Sequence, residues 1–256
     1  MFLTSVGRSA LSFFESSGRL FLFVYETILN LFRAPFNFRS FTHQLVEVGY
    51  YSLPVVGLTA IFSGMVLALQ TYTGFSRFGA DTGVASVVVI SMTRELGPVL
   101  AGLMVAGRVG ASMAAEIGTM RVTEQIDALV TLSANPYRYL VVPRVLTGVL
   151  ILPILVLIAD IIGVLGGYIV GVFKLGNLPM DYIEDTIQFV EFHDVFSGLV
   201  KAAVFGFIIT LMGCYHGFHT KGGAQGVGKA TTNAVVSASI LILVFNYIIT
   251  ELFFAQ

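Results

Sequence analysis

The sequence is poor in charge. Only 11% of its 256 residues are Asp, Glu, Lys or Arg, whereas 56% are hydrophobic and the mean hydropathy is +0.87. A soluble domain carries about 25% charged residues, so this chain has too few of them to cover a globule with polar side chains. The composition excludes a soluble enzyme and a disordered protein, and it indicates an all-α polytopic membrane protein.

Tryptophan and cysteine are also scarce. The chain has no Trp beside 22 Phe and 10 Tyr, so Tyr and Phe must supply any aromatic residues at the membrane surfaces. The single cysteine, Cys214, excludes an intrachain disulfide framework. The N-terminus lacks a basic region followed by an apolar core and a small-residue cleavage site, and we therefore predict no cleaved signal peptide.

Five long apolar stretches remain once the charged residues are marked. A membrane span needs about 20 mainly apolar residues, and no internal repeat divides the chain. We therefore predict one domain over residues 1–256 with five transmembrane helices. The predicted spans are 48–70, 84–107, 145–173, 202–218 and 230–250.

The first 35 residues follow a different pattern, because five charges interrupt an apolar sequence. At about 100° per residue they fall on one narrow stripe, which predicts an amphipathic helix lying in the membrane interface over residues 1–35. The alternative, a spanning helix centred near residue 24, is disfavoured by the charges themselves. These are Arg8, Glu15, Arg19, Glu26 and Arg33.

The distribution of Lys and Arg predicts the orientation. If the N-terminus is cytoplasmic, most of the basic residues lie on the inside, including those of the long polar segment 108–144. Basic residues favour cytoplasmic segments. We therefore expect the N-terminus and residues 108–144 to be cytoplasmic.

Three charged residues fall inside the predicted spans: Arg94, Glu95 and Asp160. A charge at the bilayer centre costs at least about 2.5–3.5 kcal/mol, so such residues normally face a partner or a wet cavity. Adjacent helical residues point about 100° apart, which suggests that Arg94 and Glu95 cannot share one partner. We predict that Arg94 pairs with Asp160 and that Glu95 is free to face a cavity. The alternative is a purely structural polar contact.

Small residues recur at four-residue spacing in two rows. Such rows allow helices to approach closely within lipid, so they predict tight helix packing and no chemistry. One row is Ala106, Gly110, Ala114 and Gly118; the other is Gly163, Gly167 and Gly171.

Residues 114–129 have mixed charges and several apolar side chains on the cytoplasmic side. We predict a helix that docks to a soluble protein; the alternative is a solvated loop helix.

Two other patterns are weaker indications of function. Residues 223–229 have the spacing of a phosphate-binding loop, but Ala230 stands where Ser or Thr is needed. Cys214, His216 and His219 are too few and too close for a metal site, and no catalytic constellation stands out.

Several of these segments together resemble the MlaE/YrbE family, the permease subunits of ABC transporters that move phospholipids between bacterial membranes. The matching motifs occur in the family's order over about residues 40–250. They are Arg94-Glu95-Leu96-Gly97-Pro98, Ala106-Gly107-Arg108, residues 115–121, Thr123-Glu124-Gln125, Pro143-Arg144 and residues 226–232. The last of these accounts for the false phosphate-binding loop.

The resemblance implies a transporter subunit that is not itself an enzyme. It implies a homodimer in the inner membrane of a Gram-negative bacterium, a cytoplasmic ABC ATPase that binds ATP and Mg, and a periplasmic MCE lipid-binding protein. It also implies phospholipid as the substrate and allows for a small STAS-type protein. This chain itself would bind no cofactor and no metal, and nothing indicates a nucleic-acid partner. The expected role is the maintenance of outer-membrane lipid asymmetry.

By position, the resemblance also implies site residues. A lipid cavity between the two copies would be lined by Leu67, Gln70, Phe75, Phe78 and Glu95. Residues 114–129 become the coupling helix that docks into the ATPase, through Glu116, Met120, Arg121, Glu124 and Asp127.

Two other classes of protein remain as alternatives. One is a secondary transporter or channel that uses Arg94, Glu95 and Asp160 as a proton relay; five spans without an inverted repeat disfavour it. The other is a structural membrane scaffold. Co-purification of an ATPase would separate the transporter subunit from both.

Overall fold

A computed structural model of the chain describes residues 2–31, 38–76 and 83–255. Phe78, one of the predicted lipid-lining residues, lies outside these ranges. The described part is helical and contains no strand. Its helices are α1 (Phe2–Leu31), α2 (Phe38–Ser76), α3 (Val84–Val122), α4 (Gln125–Thr131), α5 (Tyr137–Phe173), α6 (Pro179–Phe189), α7 (Phe192–Phe218) and α8 (Gly223–Phe254).

Five of these helices (α2, α3, α5, α7 and α8) are long and apolar enough to cross a membrane. This confirms the prediction of an all-α polytopic membrane protein. Each predicted span lies within one of the five helices, but the helices are longer than the spans, because polar residues at their ends continue the same helix. α2 contains one irregularity, a 3₁₀ turn at Tyr50–Ser52.

The bundle has two ends, which we name by what lies there. The coupling end holds Val122, α4, Tyr137, Phe218 and Gly223; the far end holds Ser76, Val84, Phe173, Phe192 and Phe254. Two of the segments that separate the predicted spans are largely helical. Residues 174–200 include α6 and the start of α7, and residues 219–229 include the first two turns of α8.

The prediction of one helix over residues 114–129 is wrong. α3 continues without a break to Val122, then turns at Thr123 and Glu124, and α4 begins at Gln125. Glu124 adopts a left-handed backbone with φ of +60°, which a helix cannot contain. The Thr123 hydroxyl donates to the Thr119 carbonyl at 2.8 Å and so takes part in ending the helix.

Glycines set how closely the spans approach one another. A Cβ on Gly64 of α2 would overlap the backbone of Gly163 on α5, and a Cβ on Gly206 of α7 would overlap the backbone of Gly148 on α5. α5 therefore packs at backbone distance against both neighbours. Both predicted rows of small residues lie in such contacts: Gly163 faces α2, and a Cβ on Gly213 of α7 would stand 3.0 Å from the Gly110 carbonyl. This is the packing mode expected within lipid.

The C-terminal half of α1 packs against the coupling end. Phe23 is buried among the rings of Tyr137, Tyr215 and Phe218, with centroids 5.2–5.9 Å apart where they touch. Asn135 donates to the side chain of Asn30 at 3.0 Å. On the outward side, Arg19 and Glu15 form an exposed ion pair of 2.8 Å. The apolar side of α1 is thus divided between the bundle and exposed residues such as Phe21 and Leu22, and its position in the membrane interface stays a prediction.

At the far end, α6 lies against α5. Tyr182 packs on Gly171, where even a methyl group would meet its ring at 2.5 Å. The Tyr182 side chain is buried, and this burial raises the pKa of its hydroxyl to about 12. Tyr182 therefore stays neutral at every physiological pH and serves as an apolar anchor for α6.

Candidate functional site

A π-helical turn at Met92–Leu96 shapes the centre of the site. Such a turn holds one residue more than an α-helical turn, and these turns are frequent at functional sites. Here the side chains of both Arg94 and Glu95 contact α7, Arg94 through Asp194 and Glu95 through Lys201. The two neighbours therefore do not share one partner residue, as expected, although both partner residues lie on α7.

Arg94 forms an ion pair with Asp194 in the first turn of α7. The Arg94 Nε donates to Asp194 Oδ1 at 2.6 Å, and the guanidinium lies 4.5 Å from the centre of the Phe254 ring. Asp194 is 1% exposed, and its other oxygen accepts from the backbone N–H of Glu191 at 3.3 Å. Asp194 thus caps α7 and fixes Arg94 at the same time.

Glu95 is held by two helices. Its Oε1 accepts from Lys201 Nζ of α7 at 2.7 Å and from the Thr250 hydroxyl of α8 at 2.8 Å, while Oε2 accepts from Asn246 Nδ2 of α8 at 2.8 Å. The Lys201 ammonium also donates to the Arg94 carbonyl at 2.7 Å. Gly198 permits this approach, because any Cβ there would overlap the backbone at Thr93.

We call Arg94, Glu95, Asp194, Lys201, Asn246 and Thr250 the polar cluster. Its two α7 members are fully buried, whereas the side chains of Arg94 and Glu95 remain 34% and 38% exposed. A fully buried charge is tolerated only when it is paired and hydrogen-bonded. The buried Lys201 and Asp194 therefore serve as the support, and Arg94 and Glu95 form the accessible part.

The predicted pair of Arg94 with Asp160 is not formed. Arg94 pairs with Asp194 instead, and the Asp160 carboxyl packs against Gly97, where its Oδ1 has no hydrogen-bond partner. Asp160 opens on an apolar groove of about 300 Å³ between α3 and α5. Gly97 leaves a space that the short Asp160 side chain fills without pairing with Arg94. Glu95 is likewise not free, since three donors hold it.

The predicted lipid-lining residues are distributed over two helices. Leu67, Gln70 and Phe75 lie on α2; Leu67 packs against the core, Gln70 is exposed, and Phe75 lies near the start of α3 at Gly83. The hydrogen bonds and ion pairs that the described residues give Glu95 all go to α7 and α8. The cluster therefore does not include the α2 residues, and their role stays a prediction.

Four members of the cluster were missed from the sequence: Asp194, Lys201, Asn246 and Thr250. Asp194 and Lys201 lie before residue 202, where the predicted fourth span begins, so the prediction leaves both residues outside the membrane. Asn246 and Thr250 lie within the predicted fifth span, and these two polar residues in an apolar sequence were the available signal.

The predicted coupling residues fall into two groups at the coupling end. Arg121, Glu124 and Asp127 line a cavity of about 340 Å³ with the α7–α8 connection, and Arg121 pairs with Asp127 at 2.6 Å across the turn. Glu116 instead pairs with Arg144 of α5 at 2.8 Å, and Met120 packs against the core. The turn, which a single helix would lack, allows Arg121 of α3 to pair with Asp127 of α4.

The cluster can bind but has little capacity for covalent chemistry. Arg94 and Glu95 present a cation and an anion side by side within an apolar bundle, which suits a ligand that is charged or zwitterionic. In the described ranges, no group of three or more His, Cys, Asp or Glu side chains could hold a metal ion. Cys214 is buried and the His216 ring bonds to the Ser237 hydroxyl.

Comparison with known proteins identifies relatives over nearly the whole chain. The family described as Permease MlaE matches residues 41–252. A probable ABC transporter permease of Rickettsia conorii is 59% identical over 250 residues, which cover 98% of this chain and 96% of that protein. A probable ABC transporter permease of Synechocystis is 41% identical over 91% of this chain and 89% of its own length.

A functionally named relative is more distant. The intermembrane phospholipid transport system permease protein MlaE of Haemophilus influenzae is 32% identical over 254 residues, which cover 99% of this chain and 97% of that protein. The match to the family extends over all five spans, and the relatives are named as permeases. The chain is thus the membrane subunit of a transporter rather than an enzyme, and it belongs to the MlaE family of ABC transporter permeases.

Proposed function

We propose that this permease moves phospholipids between the inner and outer membranes of a Gram-negative bacterium, driven by ATP hydrolysis in a partner, and so maintains the lipid asymmetry of the outer membrane. The half-open Arg94–Glu95 pair is the observation that supports this most directly. Within an otherwise apolar bundle, it offers one cation and one anion on a rigid support. A zwitterionic headgroup carries the complementary charges, and the surrounding apolar helices suit acyl chains.

The proposed transporter is a homodimer. Arg94 and Glu95 are partly exposed beside α8, and α8 presents an apolar face to its surroundings. A second copy packed near this face would enclose the cluster in a cavity between the two subunits. Leu67, Gln70 and Phe75 of α2 would add to the wall of that cavity.

The proposed energy source is a cytoplasmic ABC ATPase that binds ATP and Mg and docks at the coupling end. Arg121, Glu124 and Asp127 form an exposed, charged cavity wall there. α3 runs as one helix from Arg121 to Glu95, so movement of the ATPase would be passed to the polar cluster. We place the coupling end and the N-terminus in the cytoplasm, a periplasmic MCE lipid-binding protein at the far end, and a STAS-type protein on the ATPase.

The test is lipid transfer by the reconstituted complex of permease, ATPase and MCE protein. We expect Glu95→Ala and Glu95→Lys to reduce ATP-dependent transfer of labelled phospholipid at least tenfold, because each leaves the buried Lys201 without its carboxylate. Glu251→Ala is the matched control, since Glu251 is an exposed carboxylate next to Thr250. Unchanged transfer in both Glu95 variants would remove the cluster from the transport mechanism.

A further inference from the structure

A polar cavity of about 420 Å³ opens at the coupling end, away from the polar cluster. Its walls are the first two turns of α2, the last turns of α3 and the first turns of α5. The residues that matter for its chemistry are Arg39, His43, Gln44, Glu116, Tyr139 and Arg144. Most of these side chains are hydrogen-bond donors.

Arg144 lies at the base of this cavity and is 3% exposed. Its guanidinium donates to the Leu140 carbonyl at 2.7 Å and pairs with Glu116 at 2.8 Å, while its Nε has no partner. Among the described residues, Glu116 is the carboxylate that pairs with this buried charge, and its side chain is itself half exposed. An anion in the cavity would therefore find a guanidinium already held in position.

Gln44 is a second, independent indication of a ligand. Its side chain lines the cavity and is 6% exposed, yet it makes no hydrogen bond to the described part of the chain. Buried polar groups are nearly always hydrogen-bonded to protein or to a bound molecule. The amide group is thus available to a ligand in the cavity.

The rim of the cavity carries further positive charge. Arg39 and His43 are exposed on the first two turns of α2, and neither forms an ion pair with the described residues. They lie near the N-terminal end of a long helix, where the backbone dipole favours an anion. With Arg39 and Arg144 against Glu116, the formal charge of the cavity is positive even when His43 is neutral.

We infer that this cavity binds a phosphate ester, supplied by the headgroup of an anionic phospholipid in the leaflet at the coupling end. Two guanidinium groups, an amide and a phenol match the several acceptor oxygens of a phosphate. The rings of Phe38 and Tyr139 are exposed beside the rim, at the start of two membrane-crossing helices. They would contact the first carbons of the acyl chains, which inorganic phosphate lacks.

A ligand in the cavity would affect the contact between the end of α3 and α5. A bound phosphate would approach the same guanidinium that Glu116 holds, and so would weaken the only ion pair between the end of α3 and α5. The polar cluster lies in the other half of α3. Binding at this cavity and transport through the cluster can therefore be measured separately, and either can fail without the other.

The absence of tryptophan makes a direct test available, because one introduced tryptophan is the only such fluorophore in the chain. We would place it with Phe38→Trp in the full-length permease, held in nanodiscs of phosphatidylcholine, because Phe38 lies beside the rim and supplies no polar group to the cavity. A minor fraction of the lipid is brominated phosphatidylglycerol in one sample and brominated phosphatidylcholine in the other. We expect phosphatidylglycerol to quench the tryptophan at about fivefold lower mole fraction, which corresponds to about 1 kcal/mol in total, the contribution of one basic residue near an anionic headgroup.

Two charge reversals at the coupling end form the matched comparison. Arg39→Glu should abolish the preference for phosphatidylglycerol, and Lys229→Glu should keep it, because Lys229 is equally exposed on α8 but does not line the cavity. Gln44→Leu removes the unpartnered amide without changing the charge and should weaken the preference.

A third sample distinguishes a lipid headgroup from a soluble molecule as the source of the phosphate. Inorganic phosphate added to phosphatidylcholine nanodiscs should change the fluorescence only weakly. A saturating response to inorganic phosphate without a preference for phosphatidylglycerol would support the phosphate site and assign it a soluble ligand. Equal quenching by both lipids with no response to inorganic phosphate would overturn the proposal, as would equal losses in Arg39→Glu and Lys229→Glu.

Discussion

At the residue scale, the polar cluster shows how an apolar bundle accommodates four charges. Lys201 and Asp194 are shielded from the surroundings, and each has an opposite charge and at least one further hydrogen bond. Such groups tolerate burial as pairs, and the loss of one partner is costly because the other stays charged in a low-dielectric site. Asp160, by contrast, has no charged partner and fills a space beside a glycine.

Two isosteric substitutions distinguish these carboxylates. Asp194→Asn should destabilise the protein by about 1–2 kcal/mol, since it removes the charge that faces Arg94 while Arg94 stays partly open to solvent. Asp160→Asn should leave stability and lipid transfer unchanged, because Asp160 forms no ion pair. Thermal unfolding in detergent and the transfer assay report both effects. Equal damage from Asp160→Asn would instead favour the proton-relay alternative.

The residues of the cluster were only partly predictable from the sequence. The cost of a charge within a span identified Arg94 and Glu95. Their partners could not be predicted, because a π-helical turn changes the directions in which neighbouring side chains point. The sequence of Met92–Leu96 does not indicate such a turn. Lys201 was left outside the predicted fourth span for a simpler reason. A charged residue at the edge of an apolar stretch marks the end of a span by hydropathy, even when the helix has already begun.

At the element scale, the helices meet through glycine. Gly64 of α2 contacts the Gly163 backbone so closely that no side chain fits between them. Lipid offers no hydrophobic drive for helices to associate, so such close packing supplies much of the attraction. The spacing of small residues correctly predicted close packing between helices, although it did not predict which helix each row would face.

Gly64→Ala should therefore loosen the contact of α2 with α5. We expect a cost of about 1–3 kcal/mol from overpacking, which corresponds to a fall of about 2–10 °C in Tm for a chain of this size. Gly74→Ala is the control within the same helix, because a Cβ at Gly74 meets nothing within 4 Å. Similar Tm values for the two variants would contradict the packing assigned to α2.

The turn between α3 and α4 allows a second test at this scale. Arg121→Glu reverses the charge of a side chain that faces the cavity at the coupling end, and the exposed ion pair with Asp127 contributes at most about 1 kcal/mol to stability. The variant should fold normally but retain less ATPase on co-purification. Lys174→Glu at the far end should retain all of it. An ATPase that stays bound and fully stimulated by the Arg121→Glu variant would show that docking occurs elsewhere.

At the scale of the whole molecule, α8 is the least covered of the five spans. Ile240, Leu243 and Tyr247 are exposed along it, next to the open side of the polar cluster. Composition alone predicted a membrane protein, and hydropathy located all five spans. Neither could indicate which lipid-compatible surface faces lipid and which faces another subunit, because both surfaces have the same apolar residues.

Cysteine cross-linking separates those surfaces, since the chain has one cysteine to remove. In a Cys214→Ser background, Leu243→Cys should give a cross-linked dimer with a thiol-specific reagent in membranes. Ile161→Cys is the control, because Ile161 is equally exposed at mid-span on α5. Cross-linking of Ile161→Cys but not of Leu243→Cys would place the subunit interface on α5.

The continuity of α3 has a mechanical consequence. At 1.5 Å per residue its 39 residues extend about 58 Å, and the π-helical turn at Ala106–Gly110 lies between Val122 and Glu95. The π-helical turns at Met92–Leu96 and Ala106–Gly110 each store one surplus residue. If either turn rewound to regular α-helix, everything beyond it would rotate by about 100° relative to the rest. An axial push on α3 would then be converted into a rotation that moves Arg94 and Glu95 away from α7.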